Sequence, residues 1–413
     1  MGEHHTPLDL VRERSPERPV ALVRPGVLAV AARWFQAEFK GDVFYAVKAN
    51  PSPWVIEALV QNGVTSFDVA SIPEIELVRS VAPAARLAFM HPVKSRRAIS
   101  EAYFDHGVRT FALDTHEELA KIIDATGQAK DLNLIVRLSV QADGAAYSLS
   151  GKFGVDQFQA PGLLLAARRA TDELMGVSFH VGSQCMRPTA YQAAMAQASR
   201  ALVRAGVFAD VVDVGGGFPS VYPGMVPPPL SDYLDSIHRG FEEMKVHETT
   251  ELWCEPGRAL VAEASSMLTK VELRKGDALY LNDGSYGSLF DAAHTKWPFP
   301  VKLIRDGEEV EGTLKPYRFY GPTCDSIDHM PGPFWLPEDV QEGDYVEIGM
   351  MGAYGVAMNT RFNGFGDAET VEVADAPMAS MFGLAKRSIP LPREESTVVR
   401  LSSRKSGRKR RRR

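Results

Sequence analysis

Eight short apolar runs, each ending at a polar residue or a glycine, alternate with stretches long enough for a helix between residues 25 and 265 of the 413-residue chain. The runs are Val43–Val47, Ser66–Val69, Arg86–Met90, Thr110–Leu113, Leu132–Leu138, Gly176–Val181, Val211–Val214 and Leu252–Cys254. Helical patterns lie between them, for example at 54–62, 72–80 and 115–125. Eight strand–helix repeats over roughly 250 residues are typical of a (β/α)8 barrel. The sequence therefore predicts an α/β fold built on a TIM-like barrel.

A doubly wound open sheet would give the same alternation, but it would bind its ligand at a single crevice. Here polar residues or glycines follow nearly every predicted strand. They are Lys48, Asp68, His91, Arg137, His180, the run Gly215–Gly217, and Glu255. Barrel enzymes carry the active site at the carboxyl ends of their strands. The pattern therefore favours the barrel and predicts a site at that end.

After residue 265 the pattern changes to strand-like segments separated by turns. They lie at 266–273, 278–282, 301–304, 316–320 and 344–348. Such a series predicts an antiparallel β domain over 266–395, which we expect residues 1–24 to join.

Charge is distributed unevenly. Residues 404–413 carry eight Lys or Arg and no acid, so that the formal net charge of −6 becomes −14 once these eight are removed. With serines and a glycine around them and no apolar periodicity, residues 396–413 are predicted to be a disordered basic tail. We expect at most unspecific contacts between this tail and nucleic acid or another anionic surface.

Composition excludes several classes of protein. The chain has no run of about 18 apolar residues and no apolar segment within residues 1–19, which argues against a membrane span or a secretory signal and favours the cytoplasm. Its three cysteines, Cys185, Cys254 and Cys324, are odd in number and far apart. Neither a disulfide framework nor a structural metal site is therefore expected.

Lys48 follows the apolar stretch 44–47, so its amine would emerge at the end of a buried strand. A desolvated lysine loses part of its preference for the charged state and becomes a nucleophile towards aldehydes. Lys48 is therefore a candidate for the covalent anchor of pyridoxal phosphate. The alternative is a strand-end lysine that reaches into solvent.

Two loops at the same end of the predicted barrel could hold a phosphate. Three glycines, Gly215–Gly217, follow the seventh strand, where backbone N–H groups can converge on an anion. The eighth strand is followed by Glu255-Pro256-Gly257-Arg258, which adds a guanidinium. A carboxylate at Glu255 would keep a pyridine nitrogen protonated. The alternatives are a flexible turn for the glycines and a surface ion pair for Glu255 and Arg258.

These residues carry a resemblance to a known family. The chain resembles the fold type III pyridoxal phosphate decarboxylases, in particular the ornithine/lysine decarboxylase group. The matching blocks are YAVKAN (45–50), FDVAS (67–71), HVGSQ (180–184), DVGGGFP (213–219), EPGR (255–258), NDGSYGS (282–288), GPTCDSID (321–328) and GAYG (352–355).

The resemblance implies roles at the cofactor, pyridoxal 5'-phosphate. Lys48 would hold it covalently, His180 would stack on its ring, and Glu255 would pair with its pyridine nitrogen. The other residues implied to bind the cofactor, mostly at its phosphate, are Asp68, Arg137, Ser183, Gly215, Gly216, Gly217, Gly257, Arg258 and Tyr354.

The block Gly321–Asp325 matches the segment that a neighbouring subunit donates in this family, which implies a homodimer with shared active sites. Cys324 would then protonate the substrate carbon after carbon dioxide leaves, a task suited to a thiol whose usual pKa is about 8.5. Lys152 and Asp328 match a pair that bridges the subunits.

Substrate contacts are implied for Asp291, Asp325 and Tyr286, with Asp283 as the alternative to Asp291. Two carboxylates facing a distal amine would select a basic amino acid. The predicted reaction is the decarboxylation of ornithine to putrescine. Lysine, which gives cadaverine, or both substrates remain alternatives, because one methylene is worth only about 1–3 kcal/mol in a pocket.

More distant alternatives are disfavoured by particular residues. A diaminopimelate decarboxylase would need basic residues for the second carboxylate of its substrate. Racemases of this architecture have an arginine where this chain has Glu255. An inactive regulatory homologue that binds a partner protein would have lost the anchoring lysine or the phosphate ligands, and this chain keeps Lys48 and Arg258.

Overall fold

The computed structural model describes residues 6–141, 144–147, 151–295 and 297–386, so the basic tail lies outside the described residues. A closed barrel of parallel strands occupies its first part, in the order β10-β11-β2-β3-β4-β5-β6-β8. Its strands are β2 (Asp42–Ala46), β3 (Ser66–Val69), β4 (Arg86–Phe89), β5 (Thr110–Leu113), β6 (Asn133–Arg137), β8 (Met175–Ser178), β10 (Val211–Asp213) and β11 (Glu251–Cys254). All eight predicted strands are present, and the predicted fold class is confirmed.

Helices connect successive strands and cover the barrel. They are α2 (Pro25–Glu38), α3 (Pro53–Gln61), α4 (Ile72–Val81), α5 (Arg96–Phe104), α6 (His116–Ala125), α7 (Ala160–Ala170), α8 (Thr189–Ala205) and α9 (Leu230–Glu242). Three of them begin where the sequence offers a capping side chain. Ser71, Ser95 and Thr115 accept hydrogen bonds from the backbone N–H groups of Glu74, Ala98 and Glu118.

Large side chains fill the barrel interior. Phe44 and Trp253 are each 1% exposed, and their ring centroids lie 4.6 Å apart. They pack with Ala88, Ala112, Ile135 and Val211 from other strands of the barrel. This packed layer means that the barrel is a core and not a pore, so ligands can be bound only at its ends.

The second unit is a mostly antiparallel sheet in the order β15-β14-β18-β12-β13-β16-β17. Its strands are β12 (Ser265–Lys275), β13 (Ala278–Leu281), β14 (Val301–Arg305), β15 (Glu308–Glu309), β16 (Leu314–Tyr320), β17 (His329–Pro337) and β18 (Tyr345–Ile348). β1 (Val20–Val23) pairs antiparallel with β12 and parallel with β19 (Glu369–Glu372). An N-terminal strand is therefore part of this sheet, while the predicted domain boundaries stay a prediction.

The remaining elements are short. They are α1 (Pro7–Arg14), α10 (Arg258–Val261), α11 (Phe290–His294), the pair β7 (Ala145–Tyr147) and β9 (Ser183–Cys185), and 3-10 turns at Val47–Ala49, Ala262–Ala264, Val356–Met358 and Phe362–Gly364. Within the described residues, no helix has the length and apolar character needed to cross a bilayer.

Sequence reasoning missed β17 for a physical reason. Three prolines and a glycine within His329–Pro337 argue against a strand, because proline cannot donate to the ladder. Among the described strands, β17 lies at the edge of the sheet and pairs only with β16, and prolines are tolerated at such an edge. The short β19, which needs β1 as its neighbour, was missed as well.

Candidate active site

Lys48 lies just beyond β2 at the barrel mouth, and its side chain is 43% exposed. Its Nζ forms an ion pair with Asp68, the penultimate residue of β3, which is 2% exposed. Although desolvation favours the neutral amine, the carboxylates of Asp68 and Glu255 raise the pKa of Lys48 above its usual value. The expectation that desolvation lowers the charge preference of this lysine is therefore wrong for the free amine, because Asp68 lies against it.

His180 follows β8 and is neutral. Desolvation, with the positive charges of Arg137 and Lys48, lowers the pKa of His180 to about 3. Its Nδ1 accepts a hydrogen bond of 2.9 Å from the Gly182 N–H, so the ring proton belongs on Nε2. A neutral imidazole in this position adds no positive charge to the barrel mouth.

The glycines after β10 are required by close backbone contacts. A Cβ on Gly215, whose φ is +67°, would lie 2.1 Å from the Phe179 carbonyl oxygen. A Cβ on Gly217, whose φ is +103°, would lie 2.5 Å from the Gly182 carbonyl oxygen. The loop therefore accepts no side chain at these positions.

Buried side chains that sequence reasoning missed hold this loop in place. The Tyr191 hydroxyl donates to the Gly216 carbonyl at 2.9 Å. Gln184 forms two hydrogen bonds with the Ser220 backbone. Its Oε1 accepts from the Ser220 N–H at 3.0 Å, and its Nε2 donates to the Ser220 carbonyl at 2.5 Å. Gln184 falls within the quoted block HVGSQ, whereas nothing around Tyr191 in the sequence marks it.

Arg258 begins α10 and is 6% exposed. One guanidinium nitrogen, Nη1, donates to the Tyr222 hydroxyl at 2.8 Å and to Asp291 Oδ2 at 2.5 Å. The ring centroids of Tyr354 and Trp297 lie 5.0 and 5.5 Å from its Cζ. The arginine is thus held among aromatic rings, and its Nε has no hydrogen-bond partner among the described residues.

Asp291, predicted to meet the substrate's distal amine, is 5% exposed and ion-paired with Arg258. Sequence reasoning did not foresee this pairing, since the two residues lie on different elements. The alternative residue Asp283 is 2% exposed and binds its own turn, accepting from the Gly284 N–H at 2.9 Å and from the Ser288 N–H at 3.2 Å.

The segment containing Tyr354 packs directly against the Lys48 turn. The Tyr354 N–H donates to the Ala49 carbonyl at 2.8 Å, and Asn50 Nδ2 donates to the Gly352 carbonyl at 2.8 Å. Gly257 lies against the same turn, where a Cβ would come within 3.0 Å of the Ala49 Cβ. Lys48, Gly257 and Tyr354 are therefore brought together at the barrel mouth.

Two further predicted ligands lie around the rim of the mouth. Arg137 ends β6, and its guanidinium carbon lies 5.5 Å from the Phe153 ring centroid. Ser183 begins β9, three residues beyond His180, and is partly exposed.

Cys324, Asp325 and Tyr286 form a second, separate group. The Tyr286 hydroxyl donates to Asp325 Oδ2 at 2.7 Å and lowers the pKa of that carboxyl. Cys324 is exposed, and its N–H donates to Asn363 Oδ1 at 3.1 Å. Cys324 and Asp325 line a cavity of about 790 Å³ whose lining does not include Lys48, Glu255 or Arg258.

Asp328 anchors the Cys324 segment from within the same chain. Its side chain is 1% exposed. Oδ1 accepts from the Ser285 N–H at 2.7 Å and the Ser285 hydroxyl at 3.0 Å, and Oδ2 accepts from the Thr323 N–H at 3.1 Å and the Thr323 hydroxyl at 2.7 Å. The predicted pairing of Asp328 with Lys152 of a second subunit stays a prediction.

Comparisons with known proteins show which family this chain resembles. The model described as "Pyridoxal-dependent decarboxylase, pyridoxal binding domain" matches residues 27–262. A lysine/ornithine decarboxylase from Selenomonas ruminantium is 33% identical over 346 residues, which cover 82% of this chain and 85% of that protein. Antizyme inhibitor 2 from Xenopus laevis is 32% identical over 366 residues, which cover 81% of this chain and 76% of that protein.

A solved structure supports the same likeness. The arginine decarboxylase of Paramecium bursaria Chlorella virus, bound to agmatine, superimposes with a TM-score of 0.78 at 26% identity. The match covers 88% of this chain and 98% of that one.

Proposed function

The chain belongs to the family of pyridoxal-dependent decarboxylases, and from that premise we propose that its preferred substrate is ornithine and its product putrescine. It is a decarboxylase of basic amino acids, and pyridoxal phosphate is its cofactor. The choice of ornithine, the roles of individual residues and the assembly are the proposed part.

The barrel mouth fits the cofactor's phosphate. The glycine run passes so close to neighbouring carbonyls that a Cβ would collide with them. Arg258 has a buried Nε without a partner among the described residues, and such an unpaired donor is costly unless a ligand accepts from it. The Gly215 N–H already donates to Asp213 Oδ1 at 2.8 Å. We therefore assign phosphate binding to the amides of Gly216 and Gly217, to Arg258 and to Tyr354, while Gly215 shapes the loop.

Bound pyridoxal phosphate supplies a ring that accepts the electron pair left when carbon dioxide departs. Glu255 would hold a proton at the pyridine nitrogen, which strengthens that electron demand. His180, kept neutral by its surroundings, would cover one face of the ring and exclude water from it. Lys48 would anchor the cofactor and yield that place to the substrate amine.

The hydrogen bond from Tyr286 to Asp325 is the observation that carries the choice of a basic substrate. The hydrogen bond from Tyr286 holds the pKa of Asp325 below its usual value, so the carboxylate is charged at neutral pH. A distal ammonium would bind this carboxylate, whereas a distal carboxylate would be repelled. Asp291 would add a second negative charge if its ion pair with Arg258 opened and its carboxylate bound the substrate amine instead.

A homodimer would bring the two groups of residues together. Cys324 and Asp325 lie in a cavity apart from Lys48, so a second copy must supply them if they act on the same substrate. Apolar side chains are exposed around them, with Ile327 66%, Phe362 42% and Phe365 43% exposed. Burial of these side chains in an interface would stabilise such a dimer. We assign to Cys324 the delivery of a proton to the substrate carbon.

The substrate is tested by release of carbon dioxide from ornithine, lysine, arginine and diaminopimelate, with identification of the amine produced. We expect the highest kcat/KM with ornithine, and Asp325→Asn should raise KM for ornithine while Asp367→Asn, in the same cavity wall, leaves it unchanged. Activity confined to diaminopimelate would contradict the proposal. Lys48→Ala serves as the inactive control.

Shared sites are tested by mixing two inactive variants, Lys48→Ala and Cys324→Ala. Random exchange of subunits should place one intact site in half of the dimers and so restore about a quarter of the native activity. No recovery after verified exchange would contradict a site shared between subunits.

Lysine is the second candidate substrate, because the Selenomonas relative is named a lysine/ornithine decarboxylase. The same carbon dioxide assay separates the two. The likeness to an antizyme inhibitor leaves a regulatory protein as a further alternative, and complete inactivity of the cofactor-loaded protein on all four amino acids would favour it.

A further inference from the structure

Asp213 is a buried carboxyl at the barrel mouth to which the reaction described above gives no part. It is the last residue of β10, in register with Ser178 of β8 and Trp253 of β11, and it is 1% exposed. Glu255 lies two residues beyond Trp253 on the neighbouring strand end and is partly exposed to the mouth. Asp213 is therefore the more deeply buried of the two carboxyls.

The two carboxyls are joined to each other and to the glycine loop. A side-chain hydrogen bond connects Asp213 with Glu255; it lowers the pKa of Asp213 and raises the pKa of Glu255, so Glu255 is the donor of the pair. Asp213 Oδ1 accepts from the Gly215 N–H at 2.8 Å, and the Glu255 N–H donates to the Gly215 carbonyl at 2.8 Å. A hydrogen bond between two carboxyl groups requires a proton on one of them, because an ionised carboxylate can only accept.

Charges around the pair favour one shared proton. Desolvation raises the pKa of Asp213 to about 6, and desolvation and the charge of Asp213 raise the pKa of Glu255 well above its usual value. The other titratable groups that face the pair are Asp68, Lys48 and the buried thiol of Cys254. Lys48 is already ion-paired with Asp68. Two negative charges on Asp213 and Glu255 would therefore lack a counter-charge, and burying them would cost free energy.

We propose that, in the cofactor-loaded protein, the shared proton moves from Glu255 to Asp213, which donates it in a hydrogen bond to the ionised Glu255 and is thereby a positioning residue for the carboxylate that faces the pyridine nitrogen. The inference rests on the proposed role of Glu255. A positively charged pyridine nitrogen ionises its nearest carboxyl, and the proton of the pair then belongs on the farther one.

The two carboxyl oxygens of Asp213 have different roles in this arrangement. Oδ1 accepts from Gly215 and so ties the residue to the phosphate loop. The other oxygen carries the proton and fixes the orientation of the Glu255 carboxylate. Asparagine reproduces both contacts, since its carbonyl accepts and its amide donates, but it can never be charged.

Isotope-edited infrared spectroscopy of the cofactor-loaded protein at pH 8 tests where the proton lies. A protonated-carboxyl band should shift when aspartate side chains carry 13C and should be absent from the spectrum of Asp213→Asn. A band that shifts with labelled glutamate instead, or that persists unchanged in Asp213→Asn, would overturn the proposal.

Binding of pyridoxal phosphate provides an independent readout. We expect Asp213→Asn to keep the dissociation constant within about twofold and to keep the absorption spectrum of the bound cofactor, whereas Asp213→Leu should weaken binding by about tenfold or more. Equal losses in both variants would mean that Asp213 acts as an anion, against the proposal. If Asp213→Leu does not fold, the proposal is still tested by cofactor binding to Asp213→Asn and by the infrared band.

Glu255→Gln separates this inference from its premise. If Glu255 faces the pyridine nitrogen, this variant should change the pH dependence of the bound cofactor's absorption. An unchanged profile would refute the role of Glu255 itself, whereas an altered profile with a failed infrared test would refute only the role of Asp213.

Discussion

Asp328 offers the sharpest test of what holds the Cys324 segment in place. Its carboxylate accepts four hydrogen bonds at 2.7–3.1 Å, two from Ser285 and two from Thr323. The substitution Asp328→Asn changes one oxygen into an NH2 group and removes the charge, with almost no change of volume. It therefore isolates hydrogen bonding from packing.

The cost follows from the geometry. Asparagine can keep its oxygen towards one pair of donors, and its amide then faces the other pair. A hydroxyl can turn and accept from that amide, but a backbone N–H cannot, so one donor is left unsatisfied beside a side chain that is 1% exposed. An unsatisfied buried donor costs about 1–3 kcal/mol, and the remaining bonds lose their charge assistance. We expect a total destabilisation of about 3 kcal/mol.

Thermal unfolding at a fixed protein concentration measures this loss, because association between copies would otherwise change the midpoint. We expect Asp328→Asn to lower Tm by about 5 °C. The matched control is Asp367→Asn, whose carboxylate is 62% exposed and lies 3.3 Å from an exposed Arg361. A surface pair of this kind contributes less than about 1 kcal/mol. Equal shifts in the two variants would refute the reasoning.

Three other outcomes are expected. Gly215→Ala should abolish binding of pyridoxal phosphate in a cofactor titration, whereas Gly276→Ala, at a similar φ of +62° but with no atom within 4 Å of its Cβ, should leave binding unchanged. Glu118→Gln should cost about 3–5 kcal/mol in a denaturant titration, because the buried Lys94 ammonium, 3.0 Å from Glu118 Oε1, loses its counter-charge. Burial raises the pKa of Glu263 to about 7, so the folded protein holds this proton more tightly than the unfolded chain and loses stability as the pH rises from about 4.5 to about 7. The Tm of Glu263→Gln relative to the native protein should therefore increase from pH 5 to pH 8, and a constant difference would contradict this sign.

The barrel was predictable because parallel strands are buried on both faces and so appear as continuous apolar runs. Each of the eight runs could be recognised from its own residues, without knowing which strand it pairs with. β17 was not predictable in the same way, since its three prolines are compatible with a strand only at the edge of a sheet, and edge position depends on tertiary structure.

The residues of the site also differ in how far the sequence alone predicts them. Lys48, His180, Glu255 and the glycine run were found because each stands at the end of a strand, where sequence position predicts spatial position. Interactions between elements were not found. The pairing of Arg258 with Asp291 raises the pKa of the arginine and occupies the aspartate, and no local pattern encodes it.

The effect of Asp68 on Lys48 shows why residue type alone does not give a protonation state. Desolvation acts in the direction that the sequence suggested, but a carboxylate in contact with the amine outweighs it. Asp213 is a second example. It belongs to the block DVGGGFP, but nothing in that block indicates that its carboxyl contacts Glu255.

The position of β1 imposes an order on assembly during synthesis. Residues 20–23 leave the ribosome before their partners at 265–268 and 369–372, which follow only after the whole barrel has been translated. Until then this apolar strand has both edges unpaired, and it must avoid association with other nascent chains. The barrel can close without it, whereas the second sheet is completed only when the two distant ends of the polypeptide meet.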